Sequence, residues 1–489
     1  MHDASISDLG LNKKLSILIE NEEKDSVLSE KNVLGFKDQI NLSDRKYSLM
    51  IKAFGLKHLL PSISKIRKKR TLIDSTTILY ENSHGIYADA EIKIYKMLVL
   101  YHDLFPKIFD SLSEDENKVK CIRIKLSGDG TNVGHLHILN FTFSLPDFKY
   151  GQAAKGNFSL GAFEINSESY DELNSCFTEL NPMLKNIKSF KIGEQTFNIK
   201  FYLAGDLKFL ANMLGINQAN SNLPCIWCKC PKTNCDSLEW SISDLKKGAR
   251  SHEESEIRRV YKNVPNKLGY IKSPIFDFIP FENVIIELMH LNLRITDKFT
   301  EYIIDEITAL DIFESQIIYE SHTDSRIKDS INIYKYITFL TEICKIRNCF
   351  HLKGGKIVFR DLRGQEKLNV FSLINLVELF PTMSDVINKN NVVNNFHNIY
   401  IGIRDNILSF QEIKEKTAKF FIDYTETFMV TTITPYIHCF VCHMHEFRKL
   451  HGNFNLFNQQ GLEKLNDITT EQVFRGSNRK RKESGKNLI

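Results

Sequence analysis

Apolar and polar positions change their spacing twice along this chain, and the changes separate helical from strand-like stretches. From residue 1 to about 115 the spacing predicts helices: Leu42-Ser43-Asp44 is a typical helix start, and residues 88–101 carry apolar side chains at the helical period. From about 207 to 437 the spacing is again mainly helical, with one strand-like run around 356–359. The chain therefore contains two helix-rich regions separated by a different segment.

In that middle segment, which begins near Val119, apolar and polar residues alternate with a period of two. Alternation predicts four strands, at residues 119–126, 135–145, 157–165 and 197–203. A turn is predicted at Ser127-Gly128-Asp129-Gly130, and a short helix over 170–180, before Pro182. Three strands, a helix and a fourth strand are the order in which an RNase H-like α/β domain begins. The predicted fold class is α/β plus α.

Composition bounds the size and class of the protein. The 489 residues are enough for about three domains. With 64 Lys+Arg and 60 Asp+Glu the net charge is +4, which excludes a uniformly basic, histone-like protein but leaves local basic patches open. Two such patches occur. The run at 65–70 is typical of a solvated face, of a nuclear-import signal or of DNA contact, and the run at 475–486 is typical of a flexible tail that binds phosphates or carries an import signal. The candidate DNA-binding residues are Lys68, Lys69, Arg70, Arg475, Arg479, Lys480 and Arg481.

No membrane contact is expected from the sequence. The N-terminus lacks the pattern of a signal peptide, and the apolar-rich run at 371–380 is about half the length of a membrane span. A soluble, intracellular protein keeps its cysteines reduced, so clustered cysteines indicate metal binding before disulfides.

Three separated carboxylates are candidates for phosphoryl-transfer chemistry: Asp129 between two glycines, Asp206 directly after a strand, and Glu463 in a predicted helix. Such chemistry needs two Mg²⁺ ions about 4 Å apart, and Mg²⁺ prefers carboxylate oxygens. Each acid also has a structural interpretation, as a turn residue, a helix N-cap and a surface charge respectively.

A second candidate site combines Cys225 and Cys228 with His438 and His443. The spacing within each pair is typical of a Cys2His2 zinc site, but 210 residues separate Cys228 from His438, far too many for a zinc finger. A zinc ion fastening both ends of a long insertion fits this arrangement. Local alternatives exist, because further candidate ligands flank both pairs: Cys230, Cys235, Cys439, Cys442 and His445.

Both features together resemble the Transib transposases and the catalytic core of the V(D)J recombinase. Asp206 precedes Cys225 by 19 residues, and His443 precedes Glu463 by 20. The segments 197–228, 286–299 (which contains His290) and 461–466, with Phe474-Arg475 after it, are similar to segments of that family. The resemblance covers about residues 119 to 475.

The resemblance implies a DDE transposase or recombinase acting on double-stranded DNA. Asp129, Asp206 and Glu463 would bind two Mg²⁺ or Mn²⁺ ions per active site, and Cys225, Cys228, His438 and His443 one structural Zn²⁺. The reaction would be DNA nicking, attack of the freed 3′-hydroxyl on the opposite strand to give a hairpin, and strand transfer to a target. Family members are dimers, so the resemblance implies a homodimer. It also implies a nuclear location, and an accessory protein subunit is compatible with this assembly.

The resemblance also divides the chain. Residues 1–115 would be a helical N-terminal region for DNA binding or dimerisation, and 116–215 the first part of an RNase H-like core. Residues 216–450 would be a helical insertion with the zinc site, and 451–489 the last catalytic helix and a basic tail.

Two departures from the family pattern keep other functions open. No clear terminal-repeat-binding module precedes the core, and only 26 residues follow Glu463. One alternative is a domesticated, catalytically silent, zinc-containing DNA-binding protein derived from a transposase. Another is a helical zinc protein without a nucleic-acid role.

Overall fold

The computed structural model describes residues 29–30, 33–34, 37, 44–68, 78–148, 151–232, 238–260, 267–315, 331–353, 356–430 and 433–476. The strands in these ranges are β1 Leu79–Glu81, β2 Gly85–Ala88, β3 Cys121–Val133, β4 Leu136–Ser144, β5 Asn157–Glu164, β6 Ser189–Ile192, β7 Gln195–Gly205, β8 Val284–Ile286, β9 Phe350–Lys353 and β10 Lys356–Phe359. The α-helices are α1 Asp44–Ala53, α2 Ala90–Leu104, α3 Pro106–Asp110, α4 Tyr170–Phe177, α5 Leu180–Asn186, α6 Leu207–Met213, α7 His252–Val260, α8 Leu288–Ser315, α9 Ile331–Thr338, α10 Gly364–Leu373, α11 Leu376–Leu379, α12 Val386–Arg404, α13 Phe410–Thr427, α14 Pro435–Cys442, α15 Met444–His451 and α16 Gln460–Gly476.

A central mixed sheet organises the molecule. Its strands follow the order β1-β2-β5-β4-β3-β7-β6, and β8 also pairs with β7. The long strands β3, β4 and β5 are antiparallel neighbours, whereas β7 runs parallel to β3 and β8 runs parallel to β7. The four strands predicted from alternation are confirmed as β3, β4, β5 and β7.

The turn predicted at Ser127–Gly130 is wrong, because these residues continue β3. Asp129 is paired directly with Asn140 of β4, and pairing extends to Val133. Gly128 is required by close approach rather than by a turn: a Cβ atom there would lie 2.6 Å from the ring of Phe209. Glycine therefore marks crowding at this point of the sheet.

Strands also occur where the pattern predicts only helix, within residues 1–115. β1 and β2 form a hairpin around Asn82, whose Oδ1 accepts hydrogen bonds from the amides of His84 and Gly85. Gly85 lets β2 approach β5 closely, since a Cβ there would lie 2.1 Å from the carbonyl oxygen of Ala162. The hairpin extends the sheet and α2 follows it, with Asp89 as N-cap.

The sheet receives one more strand from the range 216–450 that the sequence assigns to a helical insertion. β8 pairs in parallel with the end of β7, Leu203 opposite Val284 and Gly205 opposite Ile286. Glu287 follows and α8 begins, a helix of 28 residues. The run at 356–359 is confirmed as a strand and forms a hairpin with β9.

Apolar side chains of the sheet and of the helices after it form one continuous buried cluster that runs from Tyr87 to Phe457. A second, small cluster belongs to the N-terminal helices and contains Tyr47, Ile51 and Ile66. None of the helices in the described ranges is both long and apolar enough to cross a membrane.

Candidate functional site

Cys225, Cys228, His438 and His443 meet in the interior, and their ligand atoms all lie within 4.8 Å of one another. The Sγ of Cys225 is 3.4 Å from Nε2 of His443, and the Sγ of Cys228 is 3.2 Å from Nε2 of His438. The two Nε2 atoms are 3.1 Å apart. All four side chains are buried. This buried Cys2His2 cluster can bind a metal ion such as zinc.

The donor set and its spacing fit tetrahedral zinc. With Zn–S near 2.3 Å and Zn–N near 2.0 Å, a tetrahedron places sulfur and nitrogen about 3.5 Å apart and the two nitrogens about 3.3 Å apart. The distances in the cluster are within about 0.3 Å of these values. Burial raises the pKa of the Cys225 thiol, but its hydrogen bond with Cys228 and the charges of His443 and His438 outweigh burial and lower it well below its ordinary value. A thiolate is the form that binds metal.

The local alternatives do not assemble in the described part of the chain. The thiol of Cys230 is directed to the carbonyl of Pro231, and Cys235 lies outside the described residues. Cys439, Cys442 and His445 are close in sequence to the histidine pair but are not members of the cluster. The pairing of distant halves is therefore the arrangement that the structure forms.

Arg250 holds the cysteine loop in shape and was not found from the sequence. Its guanidinium is buried, and Nε donates to the carbonyls of Cys225 and Cys228, at 3.0 and 3.1 Å. The same group stacks over the ring of Tyr270, 5.1 Å from its centroid. A buried charge needs such partners, yet a single arginine in a loop gives no periodic signal.

Glu446 and Trp227 connect the cluster to its surroundings. Oε2 of Glu446 lies 3.4 Å from Nδ1 of His443 and accepts a hydrogen bond from the amide of Ile242. A carboxylate behind a ligating imidazole fixes the ring orientation and tautomer. On the other side, the indole of Trp227 donates to the carbonyl of Val284 at 2.6 Å, which ties the cysteine loop to β8.

Asp129 lies in β3, and Asp206 directly follows the neighbouring parallel strand β7. Ser127 of β3 is opposite Ala204 of β7, so each aspartate stands two residues beyond this pair. Asp206 is also the N-cap of α6, its Oδ1 accepting from the amide of Phe209 at 2.7 Å. The N-cap interpretation of Asp206 is thus confirmed, and it orients the carboxylate rigidly.

Glu463 lies in the first turn of α16, and buried polar contacts anchor the start of this helix. The fully buried Lys125 of β3 donates to the carbonyl of Asn458 at 2.6 Å. Gln459 donates through its side chain to the carbonyl of Ala204, and its amide donates to Glu287. These bonds hold the start of α16 against β3, which carries Asp129, and against the end of β7, which Asp206 follows.

His290 and Glu287 add a charged pair to the acids. Nδ1 of His290 is 3.0 Å from Oε2 of the buried Glu287, and its Nε2 is 3.9 Å from Oε1 of Glu463. Burial lowers the pKa of His290, but the hydrogen bond and charge of Glu287, with the charges of Glu463 and Asp206, raise it to about 9. A positive imidazolium therefore sits beside the carboxylates at neutral pH.

The carboxylates are close enough to perturb one another. Burial is the main cause that raises the pKa of Asp129 to about 6, and Glu168 and Asp206 add to it while His290 opposes it. Burial likewise raises the pKa of Glu463 to about 7, with contributions from Glu287 and Asp129. Glu168 is thus a further acid beside Asp129 that sequence reasoning missed. Like charges gathered in this way favour the arrival of a cation.

The three predicted triad acids do not form as compact a cluster as the Cys2His2 set in the described residues. Their oxygen-only donor set nevertheless suits Mg²⁺ or Mn²⁺, which keep several water ligands and need few carboxylates. Their role in binding these ions stays a prediction.

Most of the candidate DNA-binding residues lie outside the described part of the chain: Lys69, Arg70, Arg479, Lys480 and Arg481. Lys68 is exposed at the end of the helical stretch 63–68, and Arg475 lies near the end of α16. DNA contact by these residues also stays a prediction.

The fold and the cluster define a mixed α/β protein with a buried Cys2His2 cluster that could bind a metal ion. A comparison with protein-family models found no match to the chain, and a search of curated proteins found no similar sequence.

Proposed function

We propose that the protein is a DNA transposase or recombinase-like enzyme that nicks duplex DNA and transfers strands by a metal-dependent DDE reaction. The observation that carries this proposal is the convergence of Asp129, Asp206 and Glu463 at one end of the sheet, where they interact electrostatically. These are the three acids that the resemblance to the Transib and V(D)J recombinase family selects.

The order of the sheet supports an RNase H-like core. Within it the order β5-β4-β3-β7-β8 has an antiparallel meander followed by two strands parallel to β3. In such a core, an acid on the first strand adjoins an acid that follows the fourth strand, as Asp129 and Asp206 do. The proposal includes residues 216–450 as an insertion, with β8 returning to the sheet, and Zn²⁺ as the ion of the Cys2His2 cluster.

In the proposed reaction, Asp129, Asp206 and Glu463 would hold two Mg²⁺ or Mn²⁺ ions. These ions would supply Lewis-acid stabilisation of the phosphate and of the attacking oxygen. Water would attack a phosphorus atom of one strand and lose its proton to solvent, while the 3′ oxygen would leave as a 3′-hydroxyl. That hydroxyl would then attack a phosphorus atom of the opposite strand and form the hairpin as the 3′ oxygen of that strand leaves with the proton. The protonated His290, held by Glu287, places a positive charge 3.9 Å from Glu463, where a DNA phosphate would gather negative charge.

Double-stranded DNA is the proposed substrate, and two DNA ends held together would require a homodimer, working in the nucleus. The accessory subunit implied by the resemblance belongs to the same proposal. No feature of the described residues selects among DNA sequences.

Cleavage of duplex DNA from the sequence flanking its gene tests the proposal. Wild-type protein with Mg²⁺ or Mn²⁺ should give nicked and hairpin products on a denaturing gel. Asp129→Asn, Asp206→Asn and Glu463→Gln should each reduce them at least about 100-fold, since each removes a metal ligand. Asp467→Asn is the matched control, because this acid is on the same helix with its side chain 73% exposed.

Unchanged cleavage in all three triad variants would show the proposal to be wrong. Salt-dependent DNA binding by the wild type without any nick would instead identify the catalytically silent, DNA-binding relative. If the protein neither binds nor cleaves DNA at low salt, the result would favour the alternative of a helical zinc protein that has no nucleic-acid role.

A further inference from the structure

Two buried amides connect Asp129 to the helix that carries Glu463. Asn466 lies one helical turn after Glu463 on α16, and its Nδ2 donates to Oδ2 of Asp129 at 2.6 Å. Its Oδ1 accepts from Nδ2 of Asn140 at 2.5 Å. Asn140 is the residue directly opposite Asp129 across β3 and β4, so the two side chains share one face of the sheet. The Asn466 side chain of α16 is thus hydrogen-bonded to one residue of β3 and one residue of β4.

The amide side chain of Asn466 satisfies both neighbours of position 466. Asn140 presents a donor there and Asp129 an acceptor, and an amide offers the matching acceptor and donor. Asn140 and Asn466 are 4% and 5% exposed, so water does not replace a lost partner. An apolar side chain would leave a buried carboxylate oxygen and a buried amide unpaired, while a carboxylate would face Asp129 with like charge.

We propose that Asn466, oriented by Asn140, is a positioning residue that sets the direction of the Asp129 carboxylate and the register of Glu463 relative to it. The inference rests on the proposed function, since it assumes that these two acids bind the divalent ions. The hydrogen bond to Oδ2 fixes rotation of the Asp129 carboxylate and leaves Oδ1 for a cation. Because Asn466 and Glu463 share a face of α16, the same bond fixes where Glu463 stands.

The hydrogen bonds that anchor the start of α16 do not perform this task. Lys125 and Gln459 fasten the beginning of the helix through backbone carbonyls, and neither touches Asp129 or Glu463. Asn458 anchors the same beginning, donating to Gln152 and to the carbonyl of Asn455. Asn466 of α16, by contrast, forms a hydrogen bond with Asp129 itself. Loss of the Asn458 side chain should therefore loosen the helix without redirecting the carboxylate.

Titration with Mn²⁺ alone, followed by electron paramagnetic resonance of the free ion, tests the inference on the full chain with its zinc bound. Wild-type protein should show sites that Asp129→Asn removes. Asn466→Leu should weaken Mn²⁺ binding about 10- to 100-fold, the range for loss of a partner behind a metal ligand. Asn140→Leu should weaken it less, and the double variant no more than Asn466→Leu, because both bonds act through one amide. Asn458→Leu is the control for general loosening of α16: it should lower thermal stability and weaken Mn²⁺ binding much less than Asn466→Leu does.

Wild-type Mn²⁺ affinity in Asn466→Leu that retains one zinc per chain would overturn the inference and leave the proposed function intact. Equal weakening in Asn458→Leu would also overturn it, since general loosening of α16 would then explain the effect. If Asn466→Leu does not fold, wild-type affinity in a folded Asn140→Leu overturns it in the same way. Absence of any Mn²⁺ site that depends on Asp129 in the wild type would overturn the proposed function as well.

Discussion

Replacing Asp129 by asparagine is expected to stabilise the protein when divalent cations other than zinc are absent. Burial, together with Glu168 and Asp206, raises the pKa of Asp129 to about 6. A carboxyl group whose pKa is raised on folding stabilises the fold most below its unfolded-state pKa, and this contribution is lost as pH rises through the folded-state value. Asparagine has the same shape, carries no charge and still accepts the hydrogen bond from Asn466.

The size of the effect follows from the shift. A rise from 3.8 to about 6 corresponds to about 3 kcal/mol once Asp129 is fully ionised, at about 1.4 kcal/mol per pKa unit. From the two pKa values, the free-energy cost of ionising Asp129 in the folded protein is about half of this value at pH 5 and nearly all of it at pH 8. Solvent screens part of the charge of a half-buried side chain, so Asp129→Asn should raise the free energy of unfolding by about 1–3 kcal/mol at pH 8. At pH 5 the gain should be about half as large.

Urea unfolding of the zinc-bearing protein, followed by circular dichroism at pH 5 and pH 8, measures this gain. The exposed Asp467, replaced by asparagine, is the control and should change the free energy by less than about 0.5 kcal/mol. Added Mg²⁺ should stabilise the wild type and not Asp129→Asn. A variant no more stable than the wild type at pH 8, or a gain equal at both pH values, would refute the reasoning.

Two further predictions concern the other charged groups. Cys228→Ser should lose the bound zinc and several kcal/mol of stability, because it removes one ligand of the cluster. Cys230→Ser, which changes a buried neighbour outside the cluster, should keep one zinc per chain. Elemental analysis measures the zinc content, and equal zinc in the two variants would contradict the paired site. His290→Gln should destabilise the protein by about 2–3 kcal/mol at pH 6.5 and far less above pH 9.5, because the stabilisation from a pKa raised to about 9 is lost as pH rises through that value. A pH-independent difference in urea unfolding would contradict this.

The spacing of residues along the chain predicts those structural features that depend on neighbouring residues in the sequence. Alternation marks β3, β4, β5 and β7 because each buries one or both faces in the sheet. The spacing within the cysteine pair and within the histidine pair indicates the candidate metal site, since two ligands close in sequence must fit a single ion. Neither signal depends on where distant parts of the chain meet.

Features that arise from contacts between distant parts of the chain cannot be predicted from the spacing of residues in the sequence. β8 has three residues, too few to show a period, and it is a strand only because β7 lies beside it. The glycines of Gly128-Asp129-Gly130 indicate a turn locally, whereas close packing of Phe209 explains Gly128. Asn140 and Asn466 are 326 residues apart, so nothing near either one indicates their hydrogen bond.

The metal cluster and the carboxylates are linked by short structural paths, and the links are unequal. Trp227 ties the cysteine loop to β8, which leads directly into Glu287, the partner of His290. On the histidine side, the chain from His443 reaches Glu463 within 20 residues. Asp129 and Asp206 are fixed by paired strands, independent of the cluster, while Glu463 depends on α16 and on the chain leading to it. A metal ion bound at the cluster would therefore stabilise Glu463, which lies on a helix, more than Asp129 and Asp206, which lie in or directly after strands.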